Sequence, residues 1–244
     1  MHHDEIEIET SDGSCIAHFM APTSNHKGPS VIFYMDAGGI RPAVIEMAKR
    51  LATSGYNVLL PDLFYRYGSY GPFVPEEVFA GDVQAILGPL ISTTGNAKSA
   101  EDTSAFLAAL DEQSNGSGNK VGTVGFCMGG GMAIAAAGIC PDRIAAVASF
   151  HGGNLATDAP DSPHLYAPML DAELFIAAAT DDESYPNDMA ERFERALKAA
   201  GISFSAETFS AAHGWMKPDF PVYNKDAAER GWQAMLDLFE RTLK

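Results

Sequence analysis

The sequence predicts an α/β fold in which helices cover both faces of a mostly parallel sheet. Two observations predict it. From residue 30 onward, buried strand-like runs alternate with segments of helical periodicity, which is typical of a parallel sheet between two helical layers. Before residue 30, two strand-like runs flank a hairpin signal, which predicts an antiparallel edge.

The predicted antiparallel edge comes first in the chain. Ile6 and Ile8 alternate with acidic neighbours, and a second apolar run covers residues 15–20. The pair Asp12-Gly13 lies between these runs and is typical of a tight turn. We therefore expect two paired strands that precede the parallel part of the sheet.

The parallel part begins with a buried strand over residues 31–34. A helix over 42–54 follows, opened by Pro42 and ended by Gly55, and residues 57–60 form the next buried strand. The remaining elements are strands at 121–126, 144–150, 172–178 and 204–209, and helices at 100–113, 128–138, 187–200 and 225–243.

Two long segments interrupt this alternation. Residues 64–75 and 151–171 are rich in glycine and proline and read as structured loops, which in compact α/β domains are often functional. The first loop leads into a helix near 76–90, so residues 64–95 are a candidate lid. Residues 114–119 read as a turn. No repeat or interdomain linker is evident, and residues 1–244 are expected to form one domain.

Acidic side chains outnumber basic ones by 32 to 16, giving a formal net charge of −16. Such a surface repels phosphate backbones and anionic lipids, so nucleic-acid and membrane-surface roles are disfavoured. The three cysteines lack zinc-ligand spacing and indicate neither a disulfide framework nor a metal site. Residues 1–9 do not resemble a secretory signal, and we expect a cytoplasmic monomer.

The segment over residues 121–130 carries the strongest chemical signal. A predicted strand runs into the motif Gly125-x-Cys127-x-Gly129, and a helix of small residues follows. This is the setting of a nucleophile elbow, with cysteine where serine is usual. A cysteine at a helix N-terminus faces the positive end of the dipole, which favours the thiolate. The alternative interpretation is a small, buried, apolar cysteine.

A cysteine nucleophile needs a base and an acid that orients the base. Asp181 and Asp182 follow the predicted strand at 172–178, and His213 follows the strand at 204–209. Both positions lie at the carboxyl ends of strands, where open α/β sheets place their sites. The order nucleophile, acid, histidine is that of a known class of triads. The residues alone do not choose between the two aspartates, and a solvated acidic loop is the alternative.

These segments make the chain similar to the dienelactone hydrolase family, the cysteine-nucleophile branch of the α/β-hydrolases. The matching segments are Pro61-Asp62-Leu63-Phe64-Tyr65-Arg66, Gly125-Phe126-Cys127-Met128-Gly129-Gly130, Asp182 with Pro186, and His213-Gly214. Together they extend over most of the chain. The resemblance implies an α/β-hydrolase fold, and the family's spacing between the acid and the proline selects Asp182.

The resemblance also implies an activity. A triad of Cys127, His213 and Asp182 would hydrolyse small carboxylic esters or lactones, such as a butenolide acid, through a thioester. The backbone amides of Met128 and Ala37 would form the oxyanion hole. A small-molecule substrate is then the expected partner, with no cofactor or metal. Acyl transfer through the same cysteine, and a thiol sensor or binding protein, are the alternatives.

The resemblance suggests roles for further residues near the site. Asp36 stands where the family carries a glutamate that pairs with the resting cysteine, so it is a candidate for gating the thiol. Lys217 stands where family members hold the substrate carboxylate with an arginine. The other substrate-binding candidates are Trp215, Tyr65, Arg66 and His151. Aromatic residues of the 64–75 loop are expected to wall the pocket.

Overall fold

The computed structural model describes residues 1–114, 120–180 and 182–244. Its strands are β1 (His2–Thr10), β2 (Gly13–Ala21), β3 (Ser30–Tyr34), β4 (Asn57–Pro61), β5 (Val121–Phe126), β6 (Ile144–Phe150), β7 (Glu173–Ala179) and β8 (Phe204–Phe209). They form an eight-stranded sheet in the order β1-β2-β4-β3-β5-β6-β7-β8. β2 pairs antiparallel with β1 and β4, and every other pairing is parallel. The predicted fold class, including its antiparallel edge, is confirmed.

Seven α-helices connect or follow these strands in the described part of the chain. They are α1 (Pro42–Thr53), α2 (Pro75–Ala80), α3 (Val83–Ile91), α4 (Asn96–Ser114), α5 (Met128–Ile139), α6 (Asn187–Ala200) and α7 (Lys225–Leu243). A short 3₁₀ helix, Pro163–Met169, interrupts the predicted loop at 151–171. The predicted turn at 114–119 lies, apart from its first residue, outside the described residues.

The single helix expected over residues 76–90 is wrong, because the structure has two helices there. Gly81 has an extended backbone, with φ −101° and ψ −164°, and ends α2. The side chain of Asp82 then accepts a hydrogen bond from the backbone N–H of Ala85 and caps α3. A glycine followed by an N-capping aspartate is a stop and a start signal, and it outweighs the apolar periodicity that joins the two segments.

Helices α5 and α7 pack on opposite faces of the sheet. A Cβ on Gly122 would meet Phe239 of α7, whereas a Cβ on Gly125 would meet the first turn of α5. Residues an odd number of positions apart along a strand point to opposite faces, so the two contacts define two helical layers. Most of α5 is buried, because α4 covers its outer side. This position explains the glycines and alanines of α5.

The parallel strands β3, β5, β6, β7 and β8 end at the same edge of the sheet. The loops that follow them carry Asp36, Cys127, Asp182 and His213. Parallel pairing therefore brings together residues that are far apart in sequence, at the edge where such sheets bind ligands. Helices α2 and α3 lie beside the same edge, in the segment predicted as a lid.

Candidate active site

Cys127 occupies the sharp turn between β5 and α5. Its backbone has φ 54° and ψ −118°, a combination that is rare for any residue other than glycine. The N–H of Cys127 donates to the carbonyl oxygen of Phe150 at 3.0 Å, and its carbonyl oxygen accepts from Gly130 N at 3.0 Å. The surrounding hydrogen bonds hold this strained turn, as is common at functional sites.

The glycines on both sides of Cys127 are required by close packing. A Cβ on Gly125 would lie 1.9 Å from the carbonyl oxygen of Gly129, and a Cβ on Gly129 would lie 2.4 Å from that of Tyr34. Both obstacles are backbone atoms, which cannot rotate away as a side chain can. The motif predicted from sequence is therefore a tight strand–turn–helix in the folded chain.

His213 and Asp182 are hydrogen-bonded to each other beside this turn. Nδ1 of His213 lies 2.7 Å from Oδ2 of Asp182. The side chain of Asp182 is 2% exposed and that of His213 is 30% exposed, so the acid is buried while the base reaches the cavity. With Nδ1 directed at Asp182, Nε2 is the ring nitrogen left for Cys127, whose side chain is hydrogen-bonded to His213.

Ser184 supports the same pair and was not singled out by the sequence analysis. Its hydroxyl donates to Oδ1 of Asp182 at 2.6 Å and lies 3.2 Å from Nδ1 of His213. Its backbone N–H also donates to Oδ1 of Asp182, at 2.9 Å. A serine two residues after an aspartate is a typical local turn partner, which is the signal that would have indicated it.

The charges of the pair shift both pKa values. Burial by itself would lower the pKa of His213, but the hydrogen bonds to Asp182 and Cys127 raise it to about 10. Burial would raise the pKa of Asp182, but the hydrogen bonds from His213 and Ser184 lower it. An imidazolium paired with a carboxylate is thus the favoured charge state.

Ala37 and Met128 lie on either side of the cysteine. Ala37 follows the end of β3 and Met128 is the first residue of α5, and both line the cavity to which Cys127 is open. The amides of Gly38 and Gly39 donate to Asp36, at 2.8 Å and 3.0 Å, and so fix the loop that carries Ala37. These positions are compatible with an oxyanion hole made by two backbone N–H groups.

Asp36 does not fit the gating role expected for it. Its carboxylate is 1% exposed and is paired with Arg41, through Nη1 at 2.8 Å, and with Lys217, through Nζ at 2.8 Å. Burial would raise the pKa of Asp36, but Lys217 and Arg41 hold it well below its usual range. A carboxylate held by two cations is a poor acceptor for a thiol proton. Asp36 therefore acts as a buried counter-ion.

Lys217, Trp215 and His151 are likewise buried and do not fit the role of substrate ligands. Lys217 and Trp215 are 0% exposed and His151 is 1% exposed. Trp215 stacks on Phe209, with ring centroids 4.4 Å apart, and the ring of His151 packs edge-on against His213 at 5.1 Å. Burial, His213 and Lys217 lower the pKa of His151 well below its usual value, so it is neutral. These side chains support the site from behind.

Tyr65 and Arg66 do not fit as substrate ligands either, because they join other parts of the fold. Both nitrogens of the Arg66 fork donate to Asp102 at 2.9 Å, and Nε donates to Asp12 at 2.6 Å. The Tyr65 hydroxyl donates to Asp102 at 3.1 Å and lies 2.7 Å from the Thr10 hydroxyl. The two residues connect α4 to the β1–β2 hairpin.

Two cavities open onto Cys127 and His213. One has a volume of about 180 Å³ and lies under α2 and α3; we call it the apolar arm. It is lined by Asp36, Ala37, Gly38, Phe73, Pro75, Val78, Phe79, Val83, Leu87, Ile91 and Phe220 in addition to Cys127 and His213. Phe73 is the residue of the 64–75 loop that contributes an aromatic ring to this wall.

The second cavity, of about 310 Å³, we call the polar arm. It is lined by Ala37, Ile91, Thr94, Gly95, Asn96, Met128, Met132, Gly153, Asn154, Asp161 and Ser184 in addition to Cys127 and His213. Ala37 and Ile91 border both arms, so the cysteine lies at the junction between them. A substrate whose scissile bond reaches the cysteine can extend one half into each arm.

The comparisons with known proteins show the family of this chain. The sequence profile described as "Dienelactone hydrolase family" matches residues 16–243. The chain belongs to the dienelactone hydrolase family. The expectation of an ester or lactone hydrolase is thereby confirmed at the level of the family.

Individual relatives share little sequence but most of their length. A Synechocystis protein named "Putative carboxymethylenebutenolidase" is 27% identical over 94% of this chain and 93% of its own. The "Carboxymethylenebutenolidase" of Rhodococcus opacus is 24% identical over 99% of this chain and 92% of its own. The crystal structure titled "Putative Dienelactone Hydrolase" from Klebsiella pneumoniae superposes with a TM-score of 0.86 at 23% identity and covers 98% of each chain. The α/β-hydrolase fold is thereby confirmed.

No group of three or more His, Cys, Asp or Glu side chains in residues 1–114, 120–180 and 182–244 is arranged to hold a metal ion. Within the same ranges, no helix has the length and apolar character needed to cross a membrane.

Proposed function

We propose that the protein hydrolyses small carboxylic esters or lactones through a triad of Cys127, His213 and Asp182. The observation that carries the proposal is the hydrogen-bonded pair of His213 and Asp182 beside a cysteine in a strained strand–helix turn. Each member has the surroundings that its role requires: the acid is buried, the base is half-buried, and the cysteine opens onto the cavity. The family membership supports the reaction class.

In the first half of the reaction the Cys127 thiolate attacks the substrate carbonyl carbon. The backbone N–H groups of Met128 and Ala37 donate to the oxyanion that forms. His213, protonated on both nitrogens, gives the Nε2 proton to the departing alkoxide as the tetrahedral species collapses. The products of this half are a free alcohol, or a ring-opened one, and a thioester on Cys127.

In the second half His213 activates water. Nε2, now unprotonated, takes a proton from a water molecule that attacks the thioester carbonyl. Collapse of the second tetrahedral species releases the carboxylic acid and returns the thiolate beside a protonated imidazole. Throughout the cycle Asp182 accepts a hydrogen bond from the Nδ1–H group of His213. The carboxylate also stabilises the imidazolium.

The experiment that tests the proposal is hydrolysis of p-nitrophenyl butyrate and of a dienelactone, with and without iodoacetamide. We expect turnover of p-nitrophenyl butyrate, and its loss on alkylation. Cys127→Ala should be inactive but folded, and Cys140→Ala is the matched control, since Cys140 is a second partly exposed thiol. Ester turnover that survives in Cys127→Ala would contradict the mechanism. Product transfer to an added alcohol or thiol, in preference to water, would favour acyl transfer.

A further inference from the structure

We infer that the substrate is an uncharged ester, with an apolar group on one side of the scissile bond and a polar, non-anionic group on the other. This inference rests on the proposed function and specifies its substrate class. Three features of the described structure carry it: the apolar arm, an aspartate in the polar arm, and the pairing of the nearby cations.

The apolar arm offers hydrocarbon contacts and little else. Val78 and Leu87 are buried within it, and Phe79 makes an edge-to-face contact with Phe220, with ring centroids 5.0 Å apart. Asp36, the one acid on this wall, is 1% exposed and is engaged by its two cations. A volume of about 180 Å³ suits a short alkyl or aryl group. A carboxylate placed beyond His213 in this arm would lose its hydration without gaining a cationic partner.

The polar arm contains a carboxylate, that of Asp161. Asp161 lines it together with the neutral side chains of Thr94, Asn96 and Asn154. The carbonyl oxygen of Asp161 accepts from Nδ2 of Asn96 at 3.1 Å, which ties the aspartate to the start of α4. A carboxylate on a substrate in this arm would face the Asp161 carboxylate across a partly desolvated space, where like charges repel more strongly than in water.

Arg41 and Lys217, which follow Asp36 and His213 closely in the chain, are paired with aspartates. Arg41 is bound by Asp36 and by Asp219, whose Oδ2 lies 2.6 Å from Nε, and Lys217 is bound by Asp36. Lys98, which does not line the polar arm, donates to the carbonyl oxygen of Thr93 at 3.0 Å. None of the described residues that line either arm is a lysine or arginine.

The residues outside the described ranges do not supply the missing cation. Residues 115–119 and Asp181 include no lysine or arginine. The net charge of −16 also disfavours the approach of an anionic substrate from solution. The linings of both arms and the net charge of the chain therefore disfavour a carboxylate on the substrate.

The test compares matched esters that differ in one carboxylate. On the acyl side the pair is p-nitrophenyl butyrate and p-nitrophenyl hemisuccinate. On the alcohol side it is the butyrate ester of methyl 4-hydroxybenzoate and that of 4-hydroxybenzoate. With the uncatalysed rate subtracted, we expect kcat/KM to be at least about tenfold lower for each anionic member. An equal or higher value for the anionic members overturns the inference and leaves the proposed function standing, whereas no turnover of any ester overturns the proposed function itself.

Asp161→Asn tests the charge in the polar arm. For the pair whose carboxylate enters this arm, the anionic-to-neutral ratio of kcat/KM should rise by about three- to tenfold, because the like-charge repulsion is removed. The matched control is Asp142→Asn, an exposed aspartate in the turn before β6, at the other end of the sheet; it should leave both ratios unchanged. If Asp161→Asn changes neither ratio, or Asp142→Asn changes them as much, the role of Asp161 is refuted.

Discussion

Nζ of Lys217 lies 2.8 Å from Oδ2 of Asp36, and both side chains are at most 1% exposed. Arg41 binds the other side of the same carboxylate and is itself bound by Asp219. Nζ of Lys217 also lies 4.0 Å from the ring centroid of Phe126, the residue before Cys127. The loop after β3, the turn that carries Cys127 and the loop after His213 are thus joined beneath the cavity by one buried set of charges.

Asp36→Asn should destabilise the fold. The substitution leaves Arg41 and Lys217 buried with too little negative charge, and breaking a buried ion pair on one side costs about 3–5 kcal/mol. Unfolding in urea measures the change. The double variant Asp36→Asn/Lys217→Met should recover part of the loss, because it also removes an unpaired buried cation. A loss below about 1 kcal/mol in the single variant would contradict this view of the pair.

The imidazole of His213 should titrate near pH 10 in the wild type. Cys127→Ala and Asp182→Asn should each lower that pKa, because each removes a group that raises it. The measurement is an NMR titration of the His213 ring protons. His18 is the control, since it lies in β2 and its pKa is lowered mainly by burial; it should titrate identically in all three proteins. A His213 pKa that Asp182→Asn leaves unmoved would refute the pairing.

The same shift predicts how stability depends on pH. Because its pKa is raised in the folded protein, protonated His213 contributes fully to stability below its ordinary pKa of 6.5. That contribution is lost as the pH rises through about 10. The lowered pKa of Asp182 works in the opposite sense and stabilises above its ordinary value of 3.8. The loss of unfolding free energy in His213→Gln should therefore be largest near pH 6, at about 1–3 kcal/mol, and smaller at pH 10. A loss that grows with pH would contradict the assignment.

Ser184→Ala should lower kcat and leave KM nearly unchanged. The variant removes the hydroxyl that holds Oδ1 of Asp182 but keeps the backbone N–H bond to the same atom, so the acid is less firmly oriented. We expect a decrease of about ten- to a hundredfold, which corresponds to one hydrogen bond to a charged group, at about 1.5–3 kcal/mol. Ser184→Thr keeps a hydroxyl and should restore most of kcat. If Ala and Thr are equally slow, packing and not the hydrogen bond is responsible.

Gly129→Ala should destabilise the protein and remove activity together. The new Cβ would lie 2.4 Å from the carbonyl oxygen of Tyr34 and 2.5 Å from that of Met35, so the elbow must move. Overpacking of this kind costs about 1–3 kcal/mol or more. Gly88→Ala in α3 is the matched control, because its Cβ meets the flexible end of Gln84 and alanine favours helix. Thermal unfolding and kcat/KM of both variants check the prediction.

The sequence was sufficient for the class of fold and for the position of the elbow. Both depend on local patterns: apolar runs that alternate with helical periodicity, and Gly125 and Gly129 around Cys127. It also proposed Asp182 and His213, since each follows a strand whose carboxyl end must lie at the ligand-binding edge. The choice of Asp182 over Asp181 came from the family spacing, and Asp182 is hydrogen-bonded to His213; Asp181 lies outside the described residues.

The tertiary structure decided which charged side chains are available to a substrate. Lys217, Arg41 and Arg66 look like free cations in the sequence, yet each is paired with a buried aspartate. Arg41 is also paired with the partly exposed Asp219, 178 residues away along the chain. The pattern of residues along the sequence predicts which helix, strand or loop carries a residue, because secondary structure depends mainly on local sequence. Burial and pairing depend on residues that meet only after the strands assemble in their order in the sheet, and they determine the charge of the cavity beside Cys127.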